Sequence, residues 1–185
     1  MKNKSFIDTD GINIYIHSYI KSKLIGKLVV GGMILTFFTA YIWFVTTADF
    51  DGIGKAVIPL ILIPCLVLFF GGRFLLWNIY GHEAIIVNSK SVSYSYDYGI
   101  IQTNLKTITY DKLGIEYVPT RNIEDEQFGR LSFINYRTED NLPEVIHETG
   151  IEISTEFAHD IADNLRQVLY SEFTEDNDFI PFSEN

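Results

Sequence analysis

Two long apolar runs lie in the first half of the chain, and short alternating runs follow them. Leu28–Ala48 holds no charged residue over 21 positions. At a helical rise of about 1.5 Å per residue, such a run matches a hydrocarbon core about 30 Å thick. Ala56–Gly72 is a second charge-free run of 17 residues. Arg73 interrupts it, but Phe74, Leu75, Leu76 and Trp77 continue its apolar character, and an arginine can reach back to the headgroups while its helix continues. The first run begins deep in the chain, is too long for a signal's apolar region and is followed by no small-residue cleavage site before the second run, so it is read as a span rather than a cleaved signal. The link 49–55 is short, which makes the spans antiparallel neighbours: a transmembrane helical hairpin.

Beyond residue 80 the period changes from helical to alternating. Strands are expected at Glu83–Asn88, Ser91–Tyr98, Leu105–Tyr110, Leu113–Val118, Gly129–Tyr136 and Gly150–Ile153. In the second of these, Val92, Tyr94, Tyr96 and Tyr98 face one way and Ser91, Ser93, Ser95 and Asp97 the other. Residues 119–127 and 137–149 read as polar loops. Ser154 can cap a helix over about 155–171 that carries Glu156 in its first turn. Phe157, Ile161, Leu165, Val168 and Leu169 fall on one face of that helix. A further alternation, Ile12, Ile14 and Ile16, precedes the first span. An isolated strand is unstable in water, so this one is expected to join the later sheet.

The pattern therefore predicts an α+β membrane protein: a transmembrane helical hairpin plus an antiparallel sheet or open barrel with a C-terminal helix. The expected parts are an N-terminal segment 1–20 whose strand joins the soluble domain, a hairpin over 24–80 (spans about 26–48 and 55–79), a soluble domain over 81–172 and an acidic, mobile tail over 173–185.

Charge adds orientation. Lys2, Lys4, Lys21, Lys23 and Lys27 precede the first span and only Lys55 lies in the link. The bias of basic residues toward the cytoplasmic side then puts both termini in the cytosol, in a two-pass protein of the inner (cytoplasmic) membrane. Residues 81–185 carry 20 Asp/Glu against 7 Lys/Arg, a net of −13. Nucleic acid is not expected as a partner, nor are anionic lipid headgroups expected to bind the soluble domain. The expected partners are the lipid bilayer and another protein.

Motifs for chemistry are sparse. His17, His82, His147 and His159 show no metal spacing, and the one cysteine, Cys65, lies in the second apolar run. Phosphate loops, dinucleotide fingerprints and nucleophile elbows do not occur. No catalytic residue, metal or cofactor is expected. The spans carry no ionisable residue at their centres, which argues against ion transport by this chain alone. Two features stand out as a possible interaction surface: the row Tyr94, Tyr96, Tyr98 and the acidic run Glu124, Asp125, Glu126.

The aromatic exit LLWNIYGHEAIIV (75–87), the run TITYDKLGIEYV (107–118) and the end GIEISTEFAHDIADNLRQVL (150–169) together resemble small bacterial two-span membrane proteins that carry a pleckstrin-homology-like (PH-like, bPH-type) domain, a family largely of unknown function. The resemblance implies a barrel closed by the final helix, and a protein partner or a phosphoinositide as ligand. The acidic charge departs from the phosphoinositide option. The function expected is that of a membrane-anchored, non-catalytic interaction or regulatory module. An immunity protein against a toxin, or an accessory subunit of a membrane transporter or enzyme, are the alternatives.

Overall fold

The computed structural model describes residues 5–20, 22, 24–47, 57–123, 126–139, 141–172 and 180–184. The chain divides into two units. One is helical, Ile20–Gly81 with Tyr98–Ile100; the other contains all the strands and the last helix.

In the helical unit, α1 (Leu24–Thr47) and α2 (Val57–Tyr80) are both 24 residues long. Both are apolar all round, and both are long and apolar enough to cross a membrane. No residue of α1 is buried. The expected link, 49–55, lies outside the described residues. Proline at position 64 cannot donate to the carbonyl of Leu60, one turn earlier, and the Tyr41 hydroxyl of α1 donates to that oxygen instead. Of the paired glycines, Gly71 faces the partner helix: a Cβ there would sit 3.4 Å from Ile34 Cδ1, whereas at Gly31, Gly32 and Gly72 it would meet nothing.

The second unit begins with β1 (Phe6–Thr9) and β2 (Ile14–Tyr19), joined at Asp10-Gly11, where Gly11 has φ +88°. The Asp10 carboxylate accepts from the backbone of Ile12 and Asn13, the Asn13 side chain and the Tyr15 hydroxyl. Those bonds, the Asn13 side chain first, hold its carboxyl far below the usual carboxylate range. After the hairpin, β3 (His82–Val87), β4 (Ser91–Asp97) and β5 (Lys106–Thr109) complete an antiparallel sheet in the order β1-β2-β3-β4-β5. Ile14 pairs with Val87 and Ile16 with Ile85, so the segment before α1 lies beside the one after α2.

A second sheet contains β6 (Leu113–Ile123), β7 (Glu126–Tyr136) and β8 (Pro143–Glu148), with the short β9 (Ile153–Ser154) on β7. Helix α3 (Thr155–Glu172) follows, and β10 (Ile180–Glu184) runs parallel to β6. Ile14, Ile16, Ile85, Val87 and Val92 of the first sheet share one core with Leu113, Ile115, Tyr117, Leu131 and Phe133 of the second. The face Ala158, Ile161, Ala162, Leu165, Val168, Leu169 of α3 completes it.

Three segments differ from the sequence reading. Residues 119–127 were expected as a loop, yet β6 and β7 run on as the arms of a long hairpin, with a bulge between Pro119 and Arg121. Most side chains of those arms are exposed, so no alternation marks them. Within 137–149, β8 forms at an edge, where Pro143 occupies the first position and its missing N–H costs no ladder bond. The tail expected to be mobile contributes β10; residues 173–179 lie outside the described residues.

Candidate functional site

Successive residues of a strand point to opposite faces, so the first two residues of β3 serve two different clusters. Glu83 points into the core and is fully buried. One carboxylate oxygen accepts from His147 Nε2 at 3.0 Å. The other accepts from the backbone N–H groups of Gly150 and Ile151 at 2.9 and 3.3 Å. A carboxylate only accepts, which places the His147 proton on Nε2. The His147 ring, itself buried, stacks on Tyr94 with centroids 3.8 Å apart. Glu83 thus ties the first sheet to β8 and the turn after it. Its cross-strand neighbour, Ser18, is buried with no hydrogen-bond partner for its hydroxyl among the described residues. The cluster is sealed from solvent, so its chemistry is that of a fixed charge held by fixed donors.

His82 points to the other face. Its Nε2 lies 3.0 Å from His17 Nδ1 on β2. The two ring centroids are 5.2 Å apart and the planes differ by 14°, so the rings lie edge to edge. Phe6 stacks on His17 at 4.6 Å and Tyr19 on His82 at 4.3 Å. One proton bridges the two facing nitrogens. The pair can take one more on an outer nitrogen, but a second would set two N–H groups against each other.

Burial first holds both imidazoles below their usual 6.5, and the neighbouring His17 lowers His82 further. Asp8 opposes the shift at His17, and Asp97 and Glu83 oppose it at His82. Folded-state values below the unfolded value mean that the unfolded chain binds more protons as pH falls through 6.5. The stability contributed is present above that pH and is lost below it. The thermal midpoint of the full chain in detergent should therefore fall between pH 7.5 and 5.5. The His17→Gln/His82→Gln double variant should fall less over the same range. An equal fall in both proteins would exclude the pair as the source.

The residues singled out from sequence are placed as follows. Tyr94 and Tyr96 lie on the core-facing side of β4 with Val92, half-buried and 5.9 Å apart. Tyr98 follows the end of β4 and belongs to the helical unit, where Trp77 and Arg73 contact it. Glu126 is exposed at the start of β7; Glu124 and Asp125 lie outside the described residues. Among the described residues no group of three or more His, Cys, Asp or Glu could hold a metal.

Neither pairing on β3, His82 with His17 or Glu83 with His147, was read from sequence. His17 and His82 are 65 residues apart and Glu83 and His147 are 64, and only the strand register brings them together. One signal was available: Glu83 shares its alternation with Ile85 and Val87, and a carboxylate on an apolar face needs donors. No protein-family model matches the chain, and no curated protein matches it.

Proposed function

We propose that this chain is a membrane-anchored protein-interaction or regulatory module that performs no chemistry itself. Its soluble part is read as a pleckstrin-homology-like domain, carried on a two-span hairpin in a cytoplasmic membrane with both termini in the cytosol. The observation that carries the reading is where the apolar helices sit in the chain. Two exposed 24-residue helices leave the chain after β2 and return it at β3, and those strands are neighbours in one sheet. Water does not tolerate two exposed helices that are apolar all round, whereas hydrocarbon does.

The PH-like part of the reading is supported by the strand order. The antiparallel run β2–β5 is followed by a second, β6–β8, and then by a helix whose apolar face enters the core. The net charge of residues 81–185 favours a basic protein surface over an acidic lipid headgroup as ligand. The exposed Glu126, with Glu124 and Asp125 beside it in sequence, is the natural contact.

Cross-linking of the full chain in its native membrane tests this. The expected result is one defined protein partner, recovered from membranes that retain the chain after alkaline washing. Reversing the charge of all three residues (Glu124→Lys, Asp125→Lys, Glu126→Lys) should abolish that recovery. Undiminished cross-linking would remove the acidic run from the proposal, and extraction by alkali would remove the membrane anchor.

A further inference from the structure

The helical unit includes a piece of chain from beyond the two helices, Tyr98–Ile100. It grips α2 along one face. Arg73, Trp77 and Tyr80 are spaced i, i+4 and i+7, so they form one stripe of that helix. The Arg73 guanidinium donates to the Tyr98 hydroxyl at 2.8 Å and lies over the Tyr98 ring, 4.7 Å from its centroid. Trp77 packs on the same ring at 5.1 Å. Gly99, at φ +86°, turns the chain so closely over Tyr80 that an added Cβ would lie 2.7 Å from the Tyr80 Cβ. The next residue, Ile100, is 78% exposed, more than any other large hydrophobic residue described.

The depth of Arg73 explains why such a hook is needed. From Val57 to Arg73 the helix rises about 24 Å, less than the roughly 30 Å of a hydrocarbon core. A helix that crosses the core therefore carries Arg73 at or just inside the hydrocarbon boundary. A guanidinium at that level needs a hydrogen-bond acceptor and gains from an aromatic face, and Tyr98 supplies both. The segment that delivers Tyr98 must lie at the same depth. Ile100 lies two residues on, and the neighbouring α2 residue Phe74 is itself 55% exposed.

We infer that Tyr98–Ile100 is a third membrane-inserted element, an interfacial hook that shields Arg73 and places the Ile100 side chain among phospholipid acyl chains. This rests on the reading of α1 and α2 as membrane spans, and the experiment separates the two.

The full chain, with Cys65→Ala as background, is labelled with an environment-sensitive fluorophore at one of three positions: Ile100→Cys, Leu35→Cys within α1, or Val145→Cys on β8. Each is reconstituted into phosphatidylcholine nanodiscs, which have no enclosed lumen. The label at 100 should be quenched by lipids that carry a quencher near the headgroup and should resist aqueous dithionite, as the label at 35 does. The label at 145 should show the reverse. If the label at 100 behaves like that at 145 while the label at 35 stays protected, the hook is wrong and the spans stand. If the label at 35 is also open to dithionite, the spans fail and the hook fails with them.

Discussion

Glu83→Ala should destabilise the strand-containing unit by about 3–5 kcal/mol, because three buried donors lose their one acceptor group. The alanine leaves the His147 Nε2–H and the N–H groups of Gly150 and Ile151 inside the protein without an acceptor. Each such donor costs roughly 1–3 kcal/mol when it loses both water and partner. Glu83→Gln keeps the shape and one acceptor oxygen but turns an amide NH2 toward donors, so it should fall between wild type and alanine. His147→Ala removes one donor and leaves two in place, and should cost less than Glu83→Ala. The losses should not add in the double variant, because both act on one network. Hydrogen exchange of the full chain in nanodiscs reads this directly, through the amides of β3, β7 and the 149–151 turn. Val145→Ala, at an exposed site of the same β8, is the reference. If Glu83→Ala shifts exchange no more than Val145→Ala, the carboxylate does not hold the sheets together.

What the sequence disclosed, and what it hid, follows from how far apart the interacting residues are. The two long helices were legible because a charge-free apolar run is recognised residue by residue and needs no partner. The strand at Ile14–Tyr19 was legible from Ile12, Ile14 and Ile16, and α3 from its apolar spacing. Two of the six buried residues of the α3 stripe were still missed, because Ala158 and Ala162 are buried as fully as the large residues but carry little hydropathy signal. Strand β1 was hidden by its length, four residues, although the Asp10-Gly11 turn after it is a hairpin signal. The arms of the β6–β7 hairpin read as loop because ladder bonds, rather than a buried face, hold their ends. Arg121 with Glu152, 2.6 Å apart, and Thr120 with the same carboxylate add side-chain support that no local pattern announces. The two clusters on β3 were the hardest to see. Each joins residues on either side of the apolar hairpin or in two different sheets, and each depends on a register that is fixed only when the whole unit folds.

Leu165→Ala is the second change expected to have a large effect, about 2–5 kcal/mol from lost burial and the cavity left behind. Leu165 is fully buried on α3, between the equally buried Ile161 and the nearly buried Leu169. The helix packs against β2, β6, β7 and β9, so it is the element that both sheets share. Its own sequence gives it limited independence: 18 residues with one acidic residue in the first turn and no basic residue in the last. An isolated helix of such length is marginal in water, and the apolar face must supply its stability. Loss of Leu165 should therefore loosen more than the helix. Amides of β2, which precede α1 in the chain, should exchange faster together with those of β7, although residue 165 lies far from β2 in sequence. Gln167→Ala, on the exposed side of the same helix, should stay within about 0.5 kcal/mol of wild type. A Leu165→Ala protein whose faster exchange is confined to α3 would show that the helix merely covers the sheets. Acceleration in β2 and β7 together would show that one cooperative core joins the segments on either side of the hairpin.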